Sequence, residues 1–128
     1  RPHAIPTRPA DLAAHAATRA EQALRYRLCG DRNPLHADPD VARGIGLSGP
    51  ILHGLCTFGI ACVALLRTIC EFDPLLIREF EARFTGPVFP GDPLLVELWQ
   101  EAAVVSFRIT ATARGKIVVD NGRCLLAT

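Results

Sequence analysis

Apolar residues recur along the chain in two rhythms, and the change falls near Pro74. Before it, "PILHGLCTFGIACVALLRTIC" carries no charge until Arg67 and is apolar almost all round. That run is too long for a strand, so a central, enveloped helix is predicted over Ile51–Cys70. After Pro74, "LLIREFEARF", "PLLVELWQE", "VVSFRITATA" and "KIVVDNGRCLLA" alternate apolar and polar positions, with the turn signals "GPVFPGDP" and "RGK" between them. Four antiparallel strands are predicted there. Upstream, "TRAEQALRYRLC" predicts a helix, with Thr18 and Glu21 at capping-box spacing and Ala20, Ala23, Leu24 and Leu28 on one face. Gly30 supplies its stop. Residues 12–18 are Ala-rich with a weak helical signal, residues 1–11 carry three Pro and read as an extended arm, and one helical turn is expected around Pro39–Arg43.

One long buried helix followed by an antiparallel meander is an α+β layer arrangement in which the sheet wraps the helix. At 128 residues the chain fits one domain, assigned to 19–128, with 1–18 as a Pro/Ala-rich arm or linker. A sheet rolled round one helix leaves an outer face and open edges, so a homodimer or a second similar domain or subunit is expected. The hydrophobic share of 49% is ample for a packed core. Net charge is +1 and no basic stripe is interleaved with aromatics, which excludes nucleic acid as a partner. His53, Arg67 and the Gly and Thr interruptions make the long apolar run a core helix rather than a membrane span. Five Cys without a C-x-x-C pair imply neither a disulfide framework nor a zinc site, and a reducing compartment. The first residues lack the apolar core of a secretory signal. Residue 1 is Arg rather than Met, so a chain trimmed at its start, or the end of something longer, is expected.

The reactive side chains crowd into "GDRNPLHADP", residues 30–39, between the two predicted helices. Asp31 and His36 are the titratable groups that can meet on one side of a short turn, with Asn33 between them and Pro34 stiffening the connection. A carboxylate beside an imidazole can hold one water and take or return its proton near neutral pH. A free helix N-terminus supplies an oxyanion donor, and "PILHGL" offers one, with Gly54 presenting no side chain to an approaching carbonyl oxygen. Each residue also has a plain structural reading: Asp31 as a turn or cap residue, His36 as a satisfied buried histidine, His53 as a hydrogen-bonded residue at a helix start. Asp31, Asn33, His36 and Asp38 match neither an EF-hand loop nor a paired-histidine spacing, so no metal is expected.

Together, "YRLCGDRNPLHADP" and "GPILHGLCTFGIA" resemble the hydratase 2 signature of the MaoC-like dehydratases, the (R)-specific enoyl-CoA hydratases, and "EARFTGPVFPGDPLLVELWQE" resembles that family's strand, overhang and strand. The resemblance implies the hot dog fold, a long helix wrapped by an antiparallel sheet. It implies Asp31 and His36 as the catalytic pair with Asn33 assisting, the Gly54 N–H as oxyanion hole, and Leu55 and Phe58 as substrate-binding residues. Relatives with Ser at the position of Cys62 use it to orient the Asp. The implied substrate is an acyl-CoA thioester: water adds to trans-2-enoyl-CoA to give (3R)-hydroxyacyl-CoA, in fatty-acid or steroid side-chain β-oxidation. No metal or redox cofactor is implied, because the thioester itself acidifies the α-carbon. The alternatives are a (3R)-hydroxyacyl-[acyl carrier protein] dehydratase and a non-catalytic acyl-thioester-binding hot dog module. A cytoplasmic location follows for a bacterial source and a peroxisomal one for a eukaryotic source.

Overall fold

The computed structural model describes residues 1–127; Thr128, the last residue of the expected domain, lies outside the described residues. Five strands form one antiparallel sheet in the order β1-β3-β4-β5-β2, with β1 Leu12–Ala17, β2 Ile77–Phe84, β3 Pro93–Glu101, β4 Val104–Ala111 and β5 Lys116–Leu126. The helices are α1 Gln22–Tyr26, α2 Pro39–Gly44 and α3 Gly54–Thr68. β3, β4 and β5 are the expected meander. β2 precedes them in sequence but lies at the far edge, paired with β5.

The period-two pattern is realised as one inward face. Leu94, Val96 and Leu98 of β3 stand opposite Ala111, Ile109 and Phe107 of β4, and all six are at most 1% exposed. Cys56, Ala61, Ala64 and Leu65 of α3 close the core against this face. The helix is not enveloped all round, because Leu55 and Val63 are 69% and 56% exposed on its outer side. It also starts later than predicted. Leu52 donates its N–H to Val88 O at 2.7 Å, which keeps residues 51–53 extended beside the overhang before β3.

Two upstream expectations are corrected. The Ala-rich stretch is strand β1, paired residue for residue with β3 from Leu12↔Leu98 to Ala17↔Pro93, rather than helix. Small side chains suit either state, and the available edge of β3 decides. The predicted helix over 18–29 is a short α1 followed by a 3-10 turn at Arg27–Cys29. The Thr18 hydroxyl donates to Asp92 O instead of capping, and Leu24 and Leu28 are exposed. Gly30 does stop the turn, at φ 119°.

Residues 1–11 have no regular structure but are laid across the outer face of the sheet. Trp99 Nε1–H donates to Arg8 O at 2.8 Å, Asn121 donates to His3 O at 2.7 Å, and His3 bonds the Ser106 hydroxyl. Trp99 and Ser106 are thereby buried on a face that would otherwise be wet.

Candidate active site

The loop between α1 and α2 is shaped by its own polar side chains. Asp31 accepts from Asn33 N–H at 3.2 Å, Asn33 from Leu35 N–H at 3.0 Å, and Asp38 from Asp40 N–H at 2.8 Å. Each is an Asx turn two residues long, the local preference of these residue types. Pro34 opens the 3-10 turn Pro34–His36, which turns His36 inward, and Asp38 caps α2. Asp38 therefore belongs to the scaffold.

His36 is 8% exposed and its Nδ1 lies 2.8 Å from Ile51 O. A carbonyl only accepts, so Nδ1 carries the proton and the Nε2 lone pair remains available. Its ring stacks on His53 with centroids 3.7 Å apart and planes inclined by 24°. His53 Nε2–H in turn donates to the backbone O of Asp31 at 2.9 Å. One donor atom from each of Asp31, His36 and His53 lies within 4.8 Å of the others. The chain thus brings together, as expected, Asp31 and His36, and adds His53.

A cavity of about 350 Å³ opens beside them, lined by His36, Ile51, Gly54, Thr57, Phe84 and Val88 among others. A second, of about 460 Å³, lies between α1 and the overhang and shares His36 as a wall. Gly54 is the first residue of α3, and its N–H has no hydrogen-bond acceptor among the described residues. A Cβ at Gly54 would lie 3.2 Å from Phe84 Cζ, so the glycine permits close approach of the β2 ring to the helix start. Arg114 holds the overhang in place, donating to Pro87 O and the Asp92 carboxylate and lying 5.0 Å from the Phe89 ring centre.

Other expected residues fall elsewhere. Leu55 lies on the outer side of α3, in a groove shared with β1. Phe58 meets the ring of Phe80 edge-on at 4.9 Å, and Phe80 stacks on Phe107. Neither borders the cavity that holds Gly54. Cys62 gives Asp31 no hydrogen bond among the described residues. Burial pushes its thiol up, as it does those of Cys70 and Cys124, to which the proximity of Cys62 adds a smaller upward push. Phe84 and Thr57 were missed as cavity walls; Thr57 was visible one turn past Gly54, whereas Phe84 arrives only through the position of β2.

The cluster Asp31, His36 and His53 contains metal-ligand residue types. Both rings, however, already give one nitrogen to a carbonyl, and stacked planes run their remaining lone pairs side by side rather than toward one point. The donor set does not fit an ordinary metal site. It fits proton transfer: a carboxylate and an imidazole lone pair at the start of a helix with a free N–H.

Fold and site together define a hot dog protein with a carboxylate and two histidines gathered beside the start of its central helix. The MaoC like domain matches residues 3–122, and the chain belongs to that family. It is 41% identical over 117 residues to "Enoyl-CoA hydratase ChsH3" of Mycobacterium tuberculosis, covering 91% of this chain and 41% of that protein. It is 43% identical over 124 residues to "3-hydroxyacyl-thioester dehydratase Y" of the same organism, covering 92% of this chain and 43% of that one. Among solved structures, the full-length peroxisomal multifunctional enzyme type 2 of Drosophila melanogaster superposes with a TM-score of 0.96 at 38% identity, over 99% of this chain and 24% of that chain. The chain thus spans about two fifths of the length of those two curated relatives.

Proposed function

We propose that this chain is the catalytic hot dog of an (R)-specific 2-enoyl-CoA hydratase. The observation that carries this is the placement of His36: its Nδ1–H is tied to Ile51 O, a ring nitrogen lies within 4.8 Å of an Asp31 carboxylate oxygen, and the ring lines a cavity that Gly54 also borders. Asp31 and His36 hold a water and take one of its protons as its oxygen bonds C3 of the trans-2-enoyl thioester. The C2=C3 π pair moves toward the thioester carbonyl, and the Gly54 N–H with the α3 dipole receives the charge on that oxygen. A proton returned to C2 completes the addition of one water, giving the (3R)-hydroxyacyl thioester. Asn33 Oδ1 is occupied by Leu35 N–H, so its amide hydrogens remain for water or substrate. No step calls for a metal or redox cofactor, because the thioester supplies the acidity at C2.

The carrier and direction have a second reading. The relative named a 3-hydroxyacyl-thioester dehydratase favours the same site run backwards, on an acyl carrier protein or CoA thioester. Spectrophotometric hydration of crotonyl-CoA and a long-chain enoyl-CoA, chiral analysis of the product, and the reverse assay on both carriers separate these. Absence of turnover in every arm would leave a non-catalytic acyl-thioester-binding module.

Assembly with another hot dog, as a homodimer or a second domain or subunit, belongs to the same proposal. It is supported by the outer edges of β1 and β2 and by exposed Leu55 and Val63 on α3. In such an assembly Leu55 would meet the acyl chain, and Phe58 would act through Phe80 on the sheet side. Light scattering that shows a stable, active monomer at micromolar concentration would count against it. No helix among the described residues is long and apolar enough to cross a membrane. A cytoplasmic location in a bacterium, or a peroxisomal one in a eukaryote as in the name of the Drosophila enzyme, goes with this function.

A further inference from the structure

His53 is the N-cap residue of α3, yet its side chain makes no capping hydrogen bond. An ordinary N-cap side chain accepts from the backbone N–H groups of the first turn. Here the ring is turned the other way, 1% exposed, and donates from Nε2 to Asp31 O, 22 residues back in the chain. With the proton on Nε2, the Nδ1 lone pair is left buried with no partner among the described residues. Helix capping accounts for none of this, and a buried unpartnered nitrogen is a cost a purely structural residue would avoid. The ring face is used as well: it stacks on His36 at 3.7 Å and meets the Tyr26 ring at 4.7 Å. Among the described residues, the hydrogen bond and the ring contacts of the side chain thus go to Asp31, His36 and Tyr26.

We infer that His53 is a positioning residue for the proton-transfer pair, an inference that rests on the hydratase reading for its effect on turnover. Its N–H fixes the backbone from which the Asp31 carboxylate projects, and its ring sets the plane of His36. Because Gly54 follows it directly in the chain, the same residue ties both groups to the helix start that receives the thioester oxygen. The three parts of the site then keep one relative geometry without any of them being bonded side chain to side chain.

Three variants separate the contacts. His53→Phe keeps a stacking ring and loses the N–H; His53→Gln keeps an amide N–H within reach of Asp31 O and loses the ring; His53→Ala loses both. Crotonyl-CoA hydration is measured on the full chain well below each melting midpoint, together with nitrogen-15 NMR of the His36 ring. His53→Ala should lose at least about 10-fold in kcat with KM within about threefold, the signature of a misaligned rather than unbound substrate. Phe and Gln should each restore part of the loss. In the wild type the His36 proton should sit on Nδ1 alone, and His53→Ala should shift or broaden those signals. Wild-type kcat and unchanged His36 signals in folded His53→Ala, even with a lowered melting point, would overturn the inference and leave a structural histidine. A wild type with no hydration activity would instead sink the hydratase reading, and the His36 signals alone would then decide the positioning role.

Discussion

Removing either member of the proposed pair should abolish turnover, but the two removals should differ in their effect on folding. The Asp31 carboxylate is exposed, and its hydrogen bond among the described residues is the one it accepts from Asn33 N–H at 3.2 Å. In Asp31→Asn the amide oxygen accepts the same bond, so the loop keeps its shape while the charge and proton acceptor are lost. Turnover should drop at least about 10²-fold, the scale of a lost general acid–base group. His36→Ala should cost as much in turnover and also weaken the fold. Its ring is 8% exposed, stacks on His53, and is the donor to Ile51 O. Truncation orphans that carbonyl, at about 1–3 kcal/mol. For a chain of this length a loss of that size lowers the melting midpoint by roughly 4–10 °C. Placement on a loop alone expects no folding effect from either change. Kinetics with crotonyl-CoA and thermal melts on the same preparations test both halves. Asp31→Asn with more than about one tenth of wild-type turnover would remove the acid–base mechanism. His36→Ala melting with the wild type would mean the Ile51 bond contributes nothing.

Gly54→Val should keep its fold but lose about 10²-fold in kcat, the scale of one oxyanion contact, because its Cβ meets the half-exposed Phe84 ring at 3.2 Å and displaces the cavity wall; unchanged kcat in the folded variant would place the thioester oxygen elsewhere. Gly122→Ala should be far more damaging to stability than its size suggests, since a Cβ there would lie 2.5 Å from both the ring and the backbone O of Phe107; a cost below about 1 kcal/mol in urea unfolding would contradict that packing. Alkali should destabilise the protein through Cys124, whose thiol burial pushes up to about 12. The folded state then holds a proton the unfolded chain has released, so stability is level below about pH 8.5 and falls by up to about 1.4 kcal/mol per pH unit from there toward the folded value. Chemical unfolding across that range should show a shallower decline in Cys124→Ala, and an identical slope would assign the loss to other groups, Cys62 and Cys70 first, whose thiols burial also raises.

Much of the fold and the centre of the site lie in local patterns. The alternation in "PLLVELWQE" gives β3 its bounds and its inward Leu94, Val96 and Leu98, because side chains two apart share a face whatever the strand pairs with. Gly30 ends its turn because a positive φ costs glycine little. Asp31, Asn33, Pro34 and His36 build their loop from bonds two residues long, so their grouping is visible in a line of text.

What the tertiary structure decided is everything that depends on a partner distant in sequence. "LAAHAA" carries no alternation that marks a strand, and it became β1 because β3 had an open edge. α3 begins at Gly54 rather than Ile51 because Val88 O takes the N–H of Leu52. Phe84 reaches Gly54 from the far edge of the sheet, and His53 turns away from its own helix to bond Asp31. Backbone preference and side-chain period act over a few residues and can be read in order. Edge pairing, stacking and the burial of an unpartnered nitrogen are settled only when distant segments compete for the same space, and no local pattern encodes who wins.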